Sequence, residues 1–336
     1  MEEDVPPLTY VTATPCEGAA DFVHKYYRRR ARRSLIALVH SASHALGREY
    51  PRLVEVLDSL DVTNRFSPSL YAFNFLLQQA MNKNDAVEVA SLLSVFAATR
   101  SLYAPDLQIT NLFSSDWHKL IVRELIGMDL RDARGEVTVL KPVTSRQLRD
   151  ATAEINEAKR IVSECHPIIG SEIQSLVSEL TVFDGQVISG ATDVRVFGNM
   201  FLRLRAAHQS ATAYYCEHIV HEASHLYLDA LLAHDCLVTN SDATGFSAPI
   251  RSDPRPLGGI LHATFVISRM IQAFEAIAAR YSGNPEYSKA LELFRLQFAA
   301  GVKTLKRNGA FTKAGRHLLI QFEAQVDERY RSFFAA

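Results

Sequence analysis

The chain has 336 residues, well above the roughly 100–150 of a typical single domain, so two domains or one elaborated domain are expected. With 48% hydrophobic and 22% charged residues and no Ser-, Gln- or Gly-rich tract, it cannot be a disordered, collagen-like or fibrous protein. The 36 Lys and Arg nearly balance the 37 Asp and Glu, and a net charge of -1 removes the global electrostatic case for a nucleic-acid partner.

The chain opens on Met1-Glu2-Glu3-Asp4, the opposite of the basic-then-apolar start of an export signal, which predicts a cytoplasmic protein. No apolar stretch is expected to reach the roughly 20 residues of a membrane span. Four separated cysteines, Cys16, Cys165, Cys216 and Cys236, form no Cys-x-x-Cys pair and read as reduced, mostly buried thiols. Residues 20–46 read as a helix that carries Phe22, Tyr26, Leu35, Leu38 and Val39, with Gly47 as its stop. The same helix bears Lys25, Arg28, Arg29, Arg30, Arg32 and Arg33, which make either a solvated face or a surface for an acidic peptide. Helices follow over 69–82 and 85–103, the second capped at Asn84-Asp85.

A soft boundary near 140 separates a helical N-terminal portion, 1–140, from a metal-binding catalytic portion, 141–336. A strand is expected over Glu136-Val137-Thr138-Val139-Leu140, and then a charged helix over 145–164. Three short strand-like runs come next, Thr181-Val182-Phe183, Gln186-Val187-Ile188 and Asp193 to Phe197. Asp184-Gly185 predicts a hairpin between the first two. Helices are expected over 210–234, 261–281, 287–304 and 314–332, with a Pro- and Gly-rich loop over 241–259. The fold class expected is mainly α with a small β-sheet: a zincin-like HExxH helix in a predominantly helical α+β chain.

Chemistry concentrates at His221-Glu222-Ala223-Ser224-His225. At about 100° per residue, His221 and His225 lie roughly 40° apart on one helix face and one turn apart along its axis, which lets two imidazoles share a metal. Glu222 and Asp229 flank the same arc, and Ile219, Val220, Leu226, Leu228, Leu231 and Leu232 make the rest of the helix apolar. Polar groups on a buried stripe are costly unless paired or ligated. A third ligand must come from elsewhere, and Leu228 and Leu231 stand where the metzincin pattern needs Gly and His. Two candidates share the next helix, Glu275, as in gluzincin peptidases with Glu222 as general base, and His262. Thirteen residues separate them, a rotation of about 220°, so that helix can offer only one of the two. The loop before His262 presents Arg251 and Arg255 among Pro249, Pro254 and Pro256. A peptidase needs neither arginine, whereas an oxygenase that uses 2-oxoglutarate needs a bidentate cation for the distal carboxylate.

The combination of His221-Glu222-x-x-His225 with Arg251-Ser252-Asp253-Pro254-Arg255-Pro256-Leu257-Gly258-Gly259 and the following Leu261-His262 resembles the 2-oxoglutarate-dependent HExxH-type peptide β-hydroxylases. These enzymes tailor ribosomally made peptides in bacteria. The resemblance covers about residues 190–280, and Ile250 stands where the family typically carries an aromatic residue. It implies Fe(II) held by His221, His225 and His262, with 2-oxoglutarate bound by Arg255 or Arg251. Glu222 would then orient a ligand or balance charge rather than activate water. The implied substrates are dioxygen and a precursor peptide, possibly with an acidic leader; no nucleic acid and no membrane is expected. The zincin-like comparison also predicts an exposed strand edge, over Asp193 to Phe197 or its neighbour, for an extended peptide.

Overall fold

The computed structural model describes residues 7–99, 102–104, 106–126, 140–186, 188–249 and 254–331. The protein is mainly helical, 65% by residue, with one small mixed sheet of four strands. Its elements in chain order are α1 (Ala19–Leu46), α2 (Pro51–Asp58), α3 (Pro68–Asn82), α4 (Ala86–Ala98), β1 (Gln108–Asn111), α5 (Asp116–Ile126), α6 (Ser145–Cys165), α7 (Pro167–Leu176), β2 (Glu179–Phe183), β3 (Gly190–Thr192), β4 (Asn199–Arg203), α8 (Ala211–Leu232), α9 (Leu257–Arg280), α10 (Pro285–Asn308), α11 (Lys313–Gln325) and α12 (Glu328–Arg331). Gly47 ends α1 with φ +59°, a left-handed conformation suited to glycine. Asp85 caps α4 by accepting the Glu88 N–H, and Ser210 caps α8 by accepting the Ala213 N–H.

The chain forms two compact units, each assembled from separate stretches: one from residues 1–23, 153–173 and 205–336, the other from 24–152 and 174–204. The sheet belongs to the second, the HExxH helix to the first. Within the sheet the order is β1-β2-β4-β3, with β1 and β4 parallel to β2 and β3 antiparallel to β4.

Several expectations are corrected here. The Asp184-Gly185 hairpin does not form: β2, with all five residues buried, takes a central position between two parallel partners, as strands buried on both faces do. Asp184 instead bridges to Lys141. The run Asp193 to Phe197 is a 3-10 turn, Val194–Val196, capped by the Asp193 carboxylate on the Arg195 N–H, so it offers no strand edge. Of its neighbours, β4 is paired on both sides, whereas β3, which immediately precedes the turn, lies at the edge of the sheet. The strand expected over 136–140 lies outside the described residues except for Leu140, which is not in a strand. Of the four thiols only Cys216 is buried, and burial pushes its pKa up to about 12. By length and composition α9 could cross a membrane, contrary to the sequence reading, yet 72% of its apolar window is buried inside the protein, as for a core helix.

A buried polar network fastens the sheet. Glu179 on β2 accepts hydrogen bonds from Thr110 Oγ1 (2.8 Å), Ser115 Oγ (2.9 Å) and Trp117 Nε1 (3.1 Å), and His118 Nε2 lies 3.3 Å away. Thr181 extends it, donating to Asn199 Oδ1 at 2.9 Å across the β2–β4 pair. Burial pushes the Glu179 carboxyl up, but His118, Thr110 and Ser115 more than offset this and hold it below the ordinary value.

In the HExxH unit, α9 packs against α8 and α10. A Cβ at Gly301 of α10 would overlap Thr264 Oγ1 of α9, so glycine sets the close approach of these helices. Arg269 of α9 and Glu172 of α7 form a fully buried ion pair. The guanidinium lies 4.6 Å from the centre of the Tyr227 ring on α8 and 5.6 Å from that of Phe265, and burial lowers its pKa to about 9.

Replacing Glu179 by Ala leaves three donors without their acceptor and should cost about 3–5 kcal/mol in urea unfolding. Because the folded-state pKa of Glu179 is depressed, its contribution is present above the unfolded value near 4.5 and is lost as pH falls through the folded value. Glu179→Gln should therefore flatten the acid limb of the stability profile, and an unchanged limb would show that the carboxylate is not charged in this network.

Candidate metal centre

The site grows from α8. Its apolar positions Ile219, Val220, Leu226, Leu228 and Leu231 are fully buried, which fixes the helix rotation and turns the His221–His225 row to one side. Their Nε2 atoms stand 3.2 Å apart. Two nitrogens at about 2.1 Å from a common ion are separated by roughly 3.0–3.4 Å in octahedral or tetrahedral geometry, so the pair fits a shared metal.

His262 lies in the second turn of α9, with its Nδ1 3.5 Å from Nδ1 of His225 and the two rings stacked at 5.7 Å between centres. Among the described residues no three His, Cys, Asp or Glu side chains present donor atoms to one point. His225 instead stands between two neighbours, Nε2 toward His221 and Nδ1 toward His262.

The approach to His262 is set by the loop that precedes α9. Phe246 and Arg255 form an antiparallel bridge, with the Arg255 N–H donating to Phe246 at 2.9 Å. The first N–H groups of α9 lack a side-chain cap and are satisfied by this loop: Leu257 donates to Ala243 and Gly258 to Ser241, both at 2.8 Å. These contacts carry Arg255 to the wall of a cavity of about 310 Å³, which His221, His225 and His262 also line. Ala248, Gly259 and Ala263 complete the lining with small side chains that leave the volume open.

Apart from the surface each presents to this cavity, the three imidazoles are enclosed by protein. Burial pulls His221 down to about 4 and lowers His262; burial, reinforced by His221 and His262, holds His225 well below the ordinary imidazole value. All three are neutral at pH 7, with a lone pair available to a cation.

The other residues singled out by sequence fall as follows. Glu222 is buried but is not among the cavity-lining residues. Glu275 is exposed and donates nothing to the cavity; its carboxylate accepts from Arg295 at 2.8 Å. On α9, His262 lines the cavity and Glu275 faces the surface. Arg251 lies outside the described residues. His218 stacks on Tyr214 at 4.2 Å. Sequence reading passed over Glu217, one turn before His221 on the same i, i+4 row, whose carboxyl burial pushes up to about 7. The four-residue spacing Glu217, His221, His225 was the available signal. Comparison with protein-family models and with curated protein sequences finds no match to this chain.

His262→Ala should sharply weaken Fe(II) binding in an anaerobic titration, whereas Glu275→Ala should keep the metal and shift stability by no more than about 1 kcal/mol, as for an exposed ion pair. Metal lost from Glu275→Ala and kept by His262→Ala would refute this ligand set.

Proposed function

We propose that the protein is a non-haem Fe(II), 2-oxoglutarate-dependent oxygenase that hydroxylates the β-carbon of a residue in a ribosomally made peptide. The observation that carries this reading is the cavity itself: three neutral imidazoles and one arginine line it together, while the acidic alternative Glu275 faces solvent. It agrees with the sequence resemblance to the HExxH-type peptide β-hydroxylases.

His221, His225 and His262 would hold the iron, leaving positions for a chelating keto acid and for dioxygen. When bound, the metal with 2-oxoglutarate supplies oxidising power sufficient for an unactivated C–H bond, which no side chain of the protein has. The protein's own part is to bind, orient and exclude. Arg255, delivered by the Phe246 bridge, would hold the distal carboxylate of 2-oxoglutarate through its planar fork, and Arg251 is the second candidate for that role. Ala248, Gly259 and Ala263 leave room for the chain of the keto acid, and the apolar packing of α8 and α9 behind the histidines keeps bulk water from that side. Glu222, buried on α8 and absent from the lining, is suited to fixing the helix or a ligand rather than to activating water in the cavity. This counts against a zinc peptidase, whose general base must face the substrate.

Arg255→Ala should retain Fe(II) yet bind 2-oxoglutarate at least about tenfold more weakly, a loss of about 2–5 kcal/mol, with Arg255→Lys only partly restoring it. Titration of 2-oxoglutarate against the iron-loaded protein without oxygen measures this. Equal affinity in Arg251→Ala, Arg255→Ala and the parent would remove the cosubstrate from the proposal, and peptide hydrolysis by the zinc-loaded protein would replace it.

A further inference from the structure

A second cavity, of about 260 Å³, lies wholly within the unit that carries the sheet, lined by α1, α3 and the 3-10 turn at Val194. One side is aromatic: Tyr27 and Tyr71 stack at 5.8 Å between ring centres, and Phe75 continues the wall. The other side carries a guanidinium whose charge is paired by a neighbouring carboxylate. Arg195 donates to both carboxylate oxygens of Asp193, at 2.8 and 2.6 Å, and its guanidinium lies 5.2 Å from the centre of the Phe75 ring. Arg30, an exposed residue of α1, adds a second guanidinium to the lining.

The basic run of α1 is thereby divided by function. Arg28 is buried and donates to the Val62 carbonyl at 2.6 Å, and Arg32 donates to the Leu60 carbonyl at 2.8 Å, so these two hold the turn after α2. Arg30 alone of the run lines the cavity. Two amides on α3, Asn74 and Gln78, also line it and offer both donors and acceptors.

We propose that this cavity docks an acidic peptide segment, one apolar side chain lying on the Tyr27, Tyr71 and Phe75 wall and a neighbouring carboxylate on Arg30. The aromatic wall suits an apolar side chain, and the amides suit a peptide backbone. The proposal rests on the peptide-hydroxylase reading only for the source of the segment, the leader of the substrate. Its existence does not depend on the metal.

Fluorescence anisotropy with the full chain tests it, using labelled short peptides that alternate Glu with Leu or Phe, their Lys-for-Glu counterparts, and a labelled single-stranded oligonucleotide. The acidic peptides should bind, more weakly as salt is raised, and Arg30→Glu and Phe75→Ala should each reduce affinity by about tenfold or more. Chelator and His262→Ala should leave binding unchanged. Lack of binding by the acidic peptides, equal binding of the Lys peptides, tighter binding of the oligonucleotide, or an unaltered affinity in Arg30→Glu would each overturn the proposal. Docking that responds to Arg30 in a protein without 2-oxoglutarate turnover would keep this site and reject the oxygenase.

Discussion

The HExxH unit depends on one constraint: imidazoles enclosed by protein must be kept neutral and given partners. Moving a charged ring from water into a low-dielectric interior is costly, and the depressed values of His221, His225 and His262 are the direct expression of that cost. Neutral rings can share their N–H groups across these 3.2 and 3.5 Å contacts, His225 accepting from one neighbour and donating to the other, so the row of three histidines is held together without charge.

The rest of the unit holds α8 and α9 in the relation the cluster requires. Gly301 lets α10 approach α9 at Thr264, two residues after His262. Arg269, two turns beyond His262 on the same face, is locked to Glu172 and covered by Tyr227, whose hydroxyl donates to the Tyr10 carbonyl at 2.9 Å. Such a pair adds less to stability than an apolar substitute of the same shape, but breaking it strands a buried charge, so it resists sliding of one helix on the other. The Pro- and Gly-rich loop before α9 is anchored by the bridge between Phe246 and Arg255.

The unit with the sheet follows a different principle. Its small parallel core has too few strands to be held by ladders alone, and the Glu179 network supplies contacts that β-propensity does not signal. Its cavity combines rings and guanidinium groups drawn from positions far apart in sequence, α1, α3 and the turn at Val194.

The sequence by itself determined the helices with clear periodicity and caps, α1, α3, α6, α8 and α10 and the start of α4, because apolar spacing, Ser210, Asp85 and Gly47 are local signals. It also determined that His221 and His225 share a face, which follows from helix geometry alone. Only the tertiary structure decided the rest. β1 and the parallel register of the sheet depend on partners 70 residues apart, as in Ile109 opposite Leu180, and the local Asp184-Gly185 turn signal lost to the burial of β2 on both faces. Which of His262 and Glu275 faces the cavity could not be read from spacing, since either could face inward until α8 and α10 fixed the rotation of α9. Placing Arg255 beside the histidines likewise required the loop to close on Phe246, a contact between residues that no local pattern pairs.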